Sequence, residues 1–168
     1  TTARLPWLLI GMLGGIGNSM ILGNFDTTFT AHPEMALYIP LIGGTGGNVG
    51  TQSSALVVQG LANSSLDANN TWKQILKESV VALINATIIS MLVYIYNFAR
   101  FGATATVSYS VSLSLFAVVM FASIFGTLVP LTLEKLKIDP AIATGPFISI
   151  TNDIIGMLLY MGITVLLS

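Results

Sequence analysis

PFISITNDIIGMLLYMG, Pro146 to Gly162, is a long apolar run with a carboxylate, Asp153, near its middle. An apolar run of this kind is a candidate membrane span, and a charge at the centre of one is costly unless it faces a bundle interior or water. Wound as a helix, Pro146, Ser149, Asp153, Gly156 and Tyr160 share one polar or small face, with Asn152 adjoining. Ile148, Ile155 and Leu158 make the opposite, apolar face. A proline within the helix leaves the carbonyl of Ile142 without its intrahelical donor. In a bilayer such a carbonyl must find another helix, water or an ion.

The rest of the chain has the same character. Of 168 residues, 54% are hydrophobic and 8% charged, against about 25% charged in a typical soluble domain. The chain therefore reads as an all-α, multi-pass membrane protein. A net charge of −1 gives nucleic acid nothing to bind. The absence of cysteine excludes disulfides and thiolate metal sites, and one histidine, His32, is too few for a His-based zinc centre. No nucleophile–base constellation is present, so an enzyme is not expected.

Five spans are expected, at about 5–22, 36–61, 79–98, 108–133 and 140–167, in a single transmembrane domain. Pro6 and Trp7 open the first at an interface. With no charged region before it and no small-residue cleavage site after it, this run reads as a retained span rather than a signal peptide. Its start so near Thr1 leaves open a fragment of a longer chain. Thr71 is the expected cap of the third helix, and Asp139 with Pro140 the start of the fifth. An N-terminus inside puts Arg4, Lys73, Lys77, Lys135 and Lys137 on the cytoplasmic side, leaving only Arg100 outside. The C-terminus and the segment Asn24–Met35 then face outward.

The second span reads LIGGTGGNVGTQSSALVVQG, Leu41 to Gly60. Asn48, Gln52 and Gln59 fall on one helical face, and Gly43, Gly46, Gly47 and Gly50 permit close packing or a bend. In the third span Glu78 lies at the cytoplasmic end, either as a polar pathway group or as a solvated end residue.

Asp153 cannot be answered by a buried Lys or Arg, because no other span holds one near its centre. Two readings stay open: a protonated acid hydrogen-bonded to Asn or Ser, and a cation site facing water. A carboxylate with hydroxyls, amides and a freed carbonyl is an all-oxygen set, which suits hard divalent cations. The expected ligands are Asp153, Asn152, Ser149, the Gly145 carbonyl and Asn48, with Gln52, Pro146, Thr151, Glu78 and Asp139 as secondary pore-lining residues. Asp26 and Glu34 outside, and Asp67, Glu78, Glu134 and Asp139 inside, either concentrate cations at the two mouths or are ordinary solvated charge.

GGNVGTQSS (Gly46–Ser54) and DPAIATGPFISITNDIIG (Asp139–Gly156) resemble the paired signatures of the MgtE family of magnesium channels and transporters, which is related to the eukaryotic solute-carrier magnesium transporters. The Lys77–Glu78 pair and the five-span layout match as well. The resemblance implies a homodimer in the cell membrane of a bacterium or archaeon, with a Mg²⁺ pore on the two-fold axis. It also implies that Asp153 binds the ion in the fifth span and that Asn48, with Gln52, lines the path in the second. A Mg²⁺-sensing region with paired CBS domains, expected ahead of the first span, has no counterpart in these residues. An ion-coupled exchanger driven by Na⁺ or H⁺ on the same fold is the alternative.

Overall fold

The computed structural model describes residues 5–66, 70–102, 105–143 and 145–167. Arg4 and Asp67, invoked above for orientation and for the inner mouth, lie outside the described residues. Every regular element among them is helical: α1 (Leu5–Gly23), α2 (Asp26–Ala31), a 3-10 segment Pro33–Tyr38, α3 (Ile39–Ala62), α4 (Thr71–Phe101), α5 (Thr106–Lys135), a 3-10 turn Pro140–Ala143 and α6 (Pro146–Leu167). Four of them, α1, α4, α5 and α6, are long and apolar enough to cross a membrane. The chain is a multi-pass membrane protein. The 24 residues of α3 span about 36 Å at 1.5 Å per residue, but its glycines, hydroxyls and amides make it less apolar than those four.

Three expected boundaries move. The Asn24–Met35 segment is not plain loop but contains α2 and runs into the 3-10 segment. The third membrane helix starts at Thr71, eight residues before Ser79, and Asn70 rather than Thr71 occupies the cap position. At 31 residues it is about 46 Å long, well beyond the roughly 30 Å apolar core of a bilayer. Its first turns therefore carry Lys73 and Lys77 past the apolar core. The fifth helix starts at Pro146, not Pro140. Gly145, at φ +125°, breaks the chain direction in a conformation open to glycine. Pro146 is thus the first residue of α6, where its missing N–H costs nothing, and the expected loss of a partner by the Ile142 carbonyl within a continuous helix does not arise.

α5 is the hub, packed against α3, α4 and α6, while α1 packs mainly on α6 and α4 mainly on α5. Lipid is as apolar as leucine, so these contacts rest on close packing and on hydrogen bonds rather than on water exclusion. Glycine supplies the close packing. A Cβ on Gly126 of α5 would run into the Gly50 carbonyl of α3, whose Cα is 3.1 Å away, and one on Gly14 of α1 would run into Ile150 of α6. Serines at 108, 110, 112 and 114 are buried in α5. Ser112 and Ser114 donate to carbonyls one turn back, at 2.8 and 2.7 Å, and Ser110 pairs with Thr164 of α6 at 2.9 Å. α4 buries Ala82, Ala86 and Asn97 toward α5 and turns Val80, Ile84, Ile88, Met91 and Ile95 outward. An apolar outward face of this kind suits lipid.

At the end of the bundle holding the 3-10 segment, Met35, Tyr38, Ile42, Val107, Val111, Leu115 and Tyr160 form the core. The Tyr160 hydroxyl donates to the Met35 carbonyl at 2.7 Å, and Tyr38 donates to Asn97 Oδ1 at 2.5 Å.

Candidate cation site

α3 and α6 approach closely because α3 presents glycine toward Asp153. A Cβ on Gly47 would stand 3.1 Å from Ser149 Oγ and 3.2 Å from Asp153 Oδ1. One turn earlier, a Cβ on Gly43 would stand 3.8 Å from the same carboxylate oxygen. These two glycines make room for the acid. Beside it lies an open cavity of about 350 Å³, lined on the α3 side by Gly43, Gly47, Asn48 and Thr51 and on the α6 side by Ser149, Asp153 and Met157, with Asn18 of α1 completing it.

The lining is rich in oxygen and holds no basic residue. Asp153 is half-buried, and among the described residues no hydrogen bond or ion pair reaches its carboxylate. The only ion pair there joins His32 and Glu34, 3.5 Å apart in the segment between α1 and α3. The Thr51 hydroxyl donates to the Gly47 and Asn48 carbonyls, at 2.8 and 3.1 Å, which leaves its oxygen lone pairs free to accept. Asn48 is exposed, while the Asn18 side-chain oxygen is buried without a hydrogen-bond partner. No group of three or more His, Cys, Asp or Glu residues occurs among the described residues, so one chain brings a single carboxylate to this cavity.

The expected ligands are thus divided by the fold. Asp153, Ser149 and Asn48 are brought together. Asn152 is not on the cavity: it is buried against Gly50 at the α3–α6 contact, and neither polar atom of its side chain has a partner. Ile148, expected on the opposite, apolar face, lies buried on the same side of α6 as Asn152, against Gly50 of α3. The Gly145 carbonyl accepts the Ser149 N–H at 3.1 Å, the first bond of α6. Pro146 and Thr151 are half-buried outside the lining, and Gln52 is exposed beyond it. Glu78 lies elsewhere, its carboxylate accepting from Ser53 of α3 at 2.8 Å. Asp139 is exposed and accepts the Ala141 N–H at 2.9 Å, capping the 3-10 turn instead of α6. Asn18 and Thr51 were not anticipated. The signal for Asn18 was present, since an amide within the first apolar run is itself anomalous.

These features define a helical membrane protein with an oxygen-lined acidic cavity between two helices. The family model of MgtE, a divalent cation transporter, matches residues 39–163. The chain is 34% identical over 160 residues to the magnesium transporter MgtE of Bacillus subtilis (strain 168), covering 95% of this chain and 35% of that protein. It is 33% identical over 165 residues to the magnesium transporter MgtE of Thermus thermophilus, covering 98% and 36%. The Enterococcus faecalis protein of the same name is 29% identical over 160 residues, covering 95% and 35%. The chain belongs to the MgtE family of divalent cation transporters, and its relatives are named as transporters rather than enzymes. It spans about a third of the length of the curated relatives it matches.

Proposed function

We propose that this chain carries Mg²⁺ across the membrane along a path past Asp153, between two copies of the chain. The observation that carries this reading is an unpartnered carboxylate in an oxygen-lined cavity between α3 and α6. Carboxylate, hydroxyl and amide oxygens suit a hard divalent ion. Mg²⁺ gives up water reluctantly and keeps much of its hydration shell in protein sites. Six waters at about 30 Å³ each occupy about 180 Å³, which the cavity of about 350 Å³ accommodates. Asp153 draws the ion, and Asn48, Ser149, Thr51 and Asn18 accept hydrogen bonds from its waters or replace some of them. Asn152 acts indirectly, by holding α6 against α3, and Gly145 by setting where α6 begins.

α3 crosses the membrane as the second of five spans in this reading, with the N-terminus inside and the C-terminus outside. Asn48 at the cavity, and Gln52 and Gln59 beyond it, lie exposed along α3. Lipid offers amides no hydrogen bonds, so this face meets water and a second copy. Two copies bring two Asp153 carboxylates to one divalent ion. An inside-negative potential contributes about 2.3 kcal/mol per charge per 100 mV, which is enough to drive passive influx. The test is Mg²⁺ uptake by proteoliposomes of the purified chain under such a potential, wild type against Asp153→Asn, with and without Na⁺ and pH gradients. Potential-driven uptake that the substitution abolishes is the expected result. Uptake that requires a Na⁺ or H⁺ gradient would point to an exchanger, and uptake indifferent to Asp153→Asn would sink the ion path described here.

A further inference from the structure

A second cavity, of about 440 Å³, lies at the end of the bundle where α3 ends, α4 begins and α5 ends. One wall is α4, with Lys73, Gln74 and Lys77, and the other is formed by Ser65, Leu66 and Leu131. The wall after α3 is firmly built. The Gly60 carbonyl accepts the backbone N–H groups of Ser65 and Leu66, at 3.0 and 3.1 Å, and the Ser65 hydroxyl at 3.1 Å. The Leu66 side chain packs directly on Gly60.

Lys73 and Lys77 are one helical turn apart on the same face, a spacing at which like charges repel. Among the described residues neither has an ion-pair partner. The adjacent Glu78 is engaged by Ser53, and the exposed Glu134, one turn beyond Leu131, is not part of the lining. Beside the lysines, Trp72 is 72% exposed, as befits an aromatic residue at a membrane–water interface. The cavity shares no lining residue with the one beside Asp153. Two ammonium groups without an ion-pair partner among the described residues, the Gln74 amide and the Leu66 side chain suit a phosphate that carries an apolar tail.

We propose that this cavity binds the phosphodiester headgroup of an anionic phospholipid, with Lys73 and Lys77 as its principal contacts and the half-buried Leu66 against the first carbons of the tail. A free phosphate would satisfy the lysines but would leave Leu66 unused.

The test is native mass spectrometry of the purified full chain titrated with phosphatidylglycerol, and in parallel with inorganic phosphate and glycerol phosphate. Four proteins are compared: wild type, Lys73→Gln/Lys77→Gln, Lys73→Arg/Lys77→Arg, and Lys135→Gln/Lys137→Gln, which loses the same charge from the same end but outside the cavity. All four lysines are exposed, and the elution profile checks that each variant folds. At about 1 kcal/mol per lysine near an anionic surface, losing the cavity pair should weaken phosphatidylglycerol binding about 30-fold. The other pair should change it by less than about twofold, and Lys73→Arg/Lys77→Arg should restore it. Equal losses from both pairs would overturn the proposal in favour of diffuse charge attraction. Displacement of the lipid by millimolar inorganic phosphate would overturn the lipid assignment.

Discussion

Gly47 faces the Asp153 carboxylate so closely that a single added carbon would stand 3.2 Å from Oδ1. That is tighter than an ordinary contact, and Ser149 hems the same point from the other side at 3.1 Å. Gly47→Ala should therefore displace the acid by a few tenths of an ångström and reduce Mg²⁺ uptake, with a stability cost of about 1–3 kcal/mol for overpacking. Gly44 lines the same cavity but would meet nothing within 4 Å, so Gly44→Ala should leave uptake and melting unchanged. Flux assays on the two variants check the difference.

The α3–α5 crossing is less forgiving. At Gly126 the obstacle is the Gly50 backbone rather than a flexible side-chain end. Gly126→Ala should push the two helices apart and lower stability by at least about 1–3 kcal/mol. A thermal melt in detergent reads this, and a melting temperature equal to wild type would refute the crossing.

Ser53 and Glu78 join α3 to α4 through one hydrogen bond of 2.8 Å. Bonds to a charged partner contribute about 1.5–3 kcal/mol. Ser53→Ala should cost that order of stability, and Glu78→Gln less, since the amide oxygen still accepts. Melting of the two single variants and the double variant checks the coupling. Glu78→Gln should also keep transport within about twofold, because the ion site lies elsewhere and distant sites act independently.

Tyr160→Phe removes the hydrogen bond from α6 to the Met35 carbonyl, at 2.7 Å. The Met35 carbonyl lies in the 3-10 segment and keeps a backbone donor, so the loss is that of one hydrogen bond, about 0.5–1.5 kcal/mol. The expected outcome is faster hydrogen exchange in the 33–38 segment, with α3 and α5 unaffected.

The chain has no cysteine, so single cysteines report without background. In bilayers, Asn48→Cys and Gln52→Cys should form disulfide-linked dimers on mild oxidation. Leu92→Cys, on the outward face of α4, should not. Cross-linking at Leu92 with none at the two α3 positions would move the second copy to a different face.

Much of this was legible in the sequence. Apolar runs located α1 and α5 to within two residues, and the lone mid-helix Asp153 pointed to the side of α6 that borders the cavity. The remainder depended on what packs where. Helical spacing placed Asn152 beside Asp153 but could not say that α3 and α5 would enclose the amide while leaving the acid at the cavity. Gly145-Pro146 reads equally as a kink within a helix or as a beginning, and only the backbone turn at Gly145 decides. Glu78 stayed open between a pathway group and a solvated end residue because nothing local revealed Ser53 as its partner 25 positions away. Asn18 escaped because α1 buries no residue of its own and matters here only through what α6 brings to it.

The hub position of α5 has a consequence for how the protein is made. The small and hydroxylic face of α3 is covered by α5 and α6, both synthesised later. The ribosome completes α5 roughly 70 residues after α3, which at about 5–20 residues per second is about 4–15 s. Through that interval Ser54 and the glycine ridge of α3 lack their permanent neighbour. The insertion machinery must therefore shelter the least apolar helix until its cover arrives, and lengthening the segment between α4 and α5 would prolong that exposure.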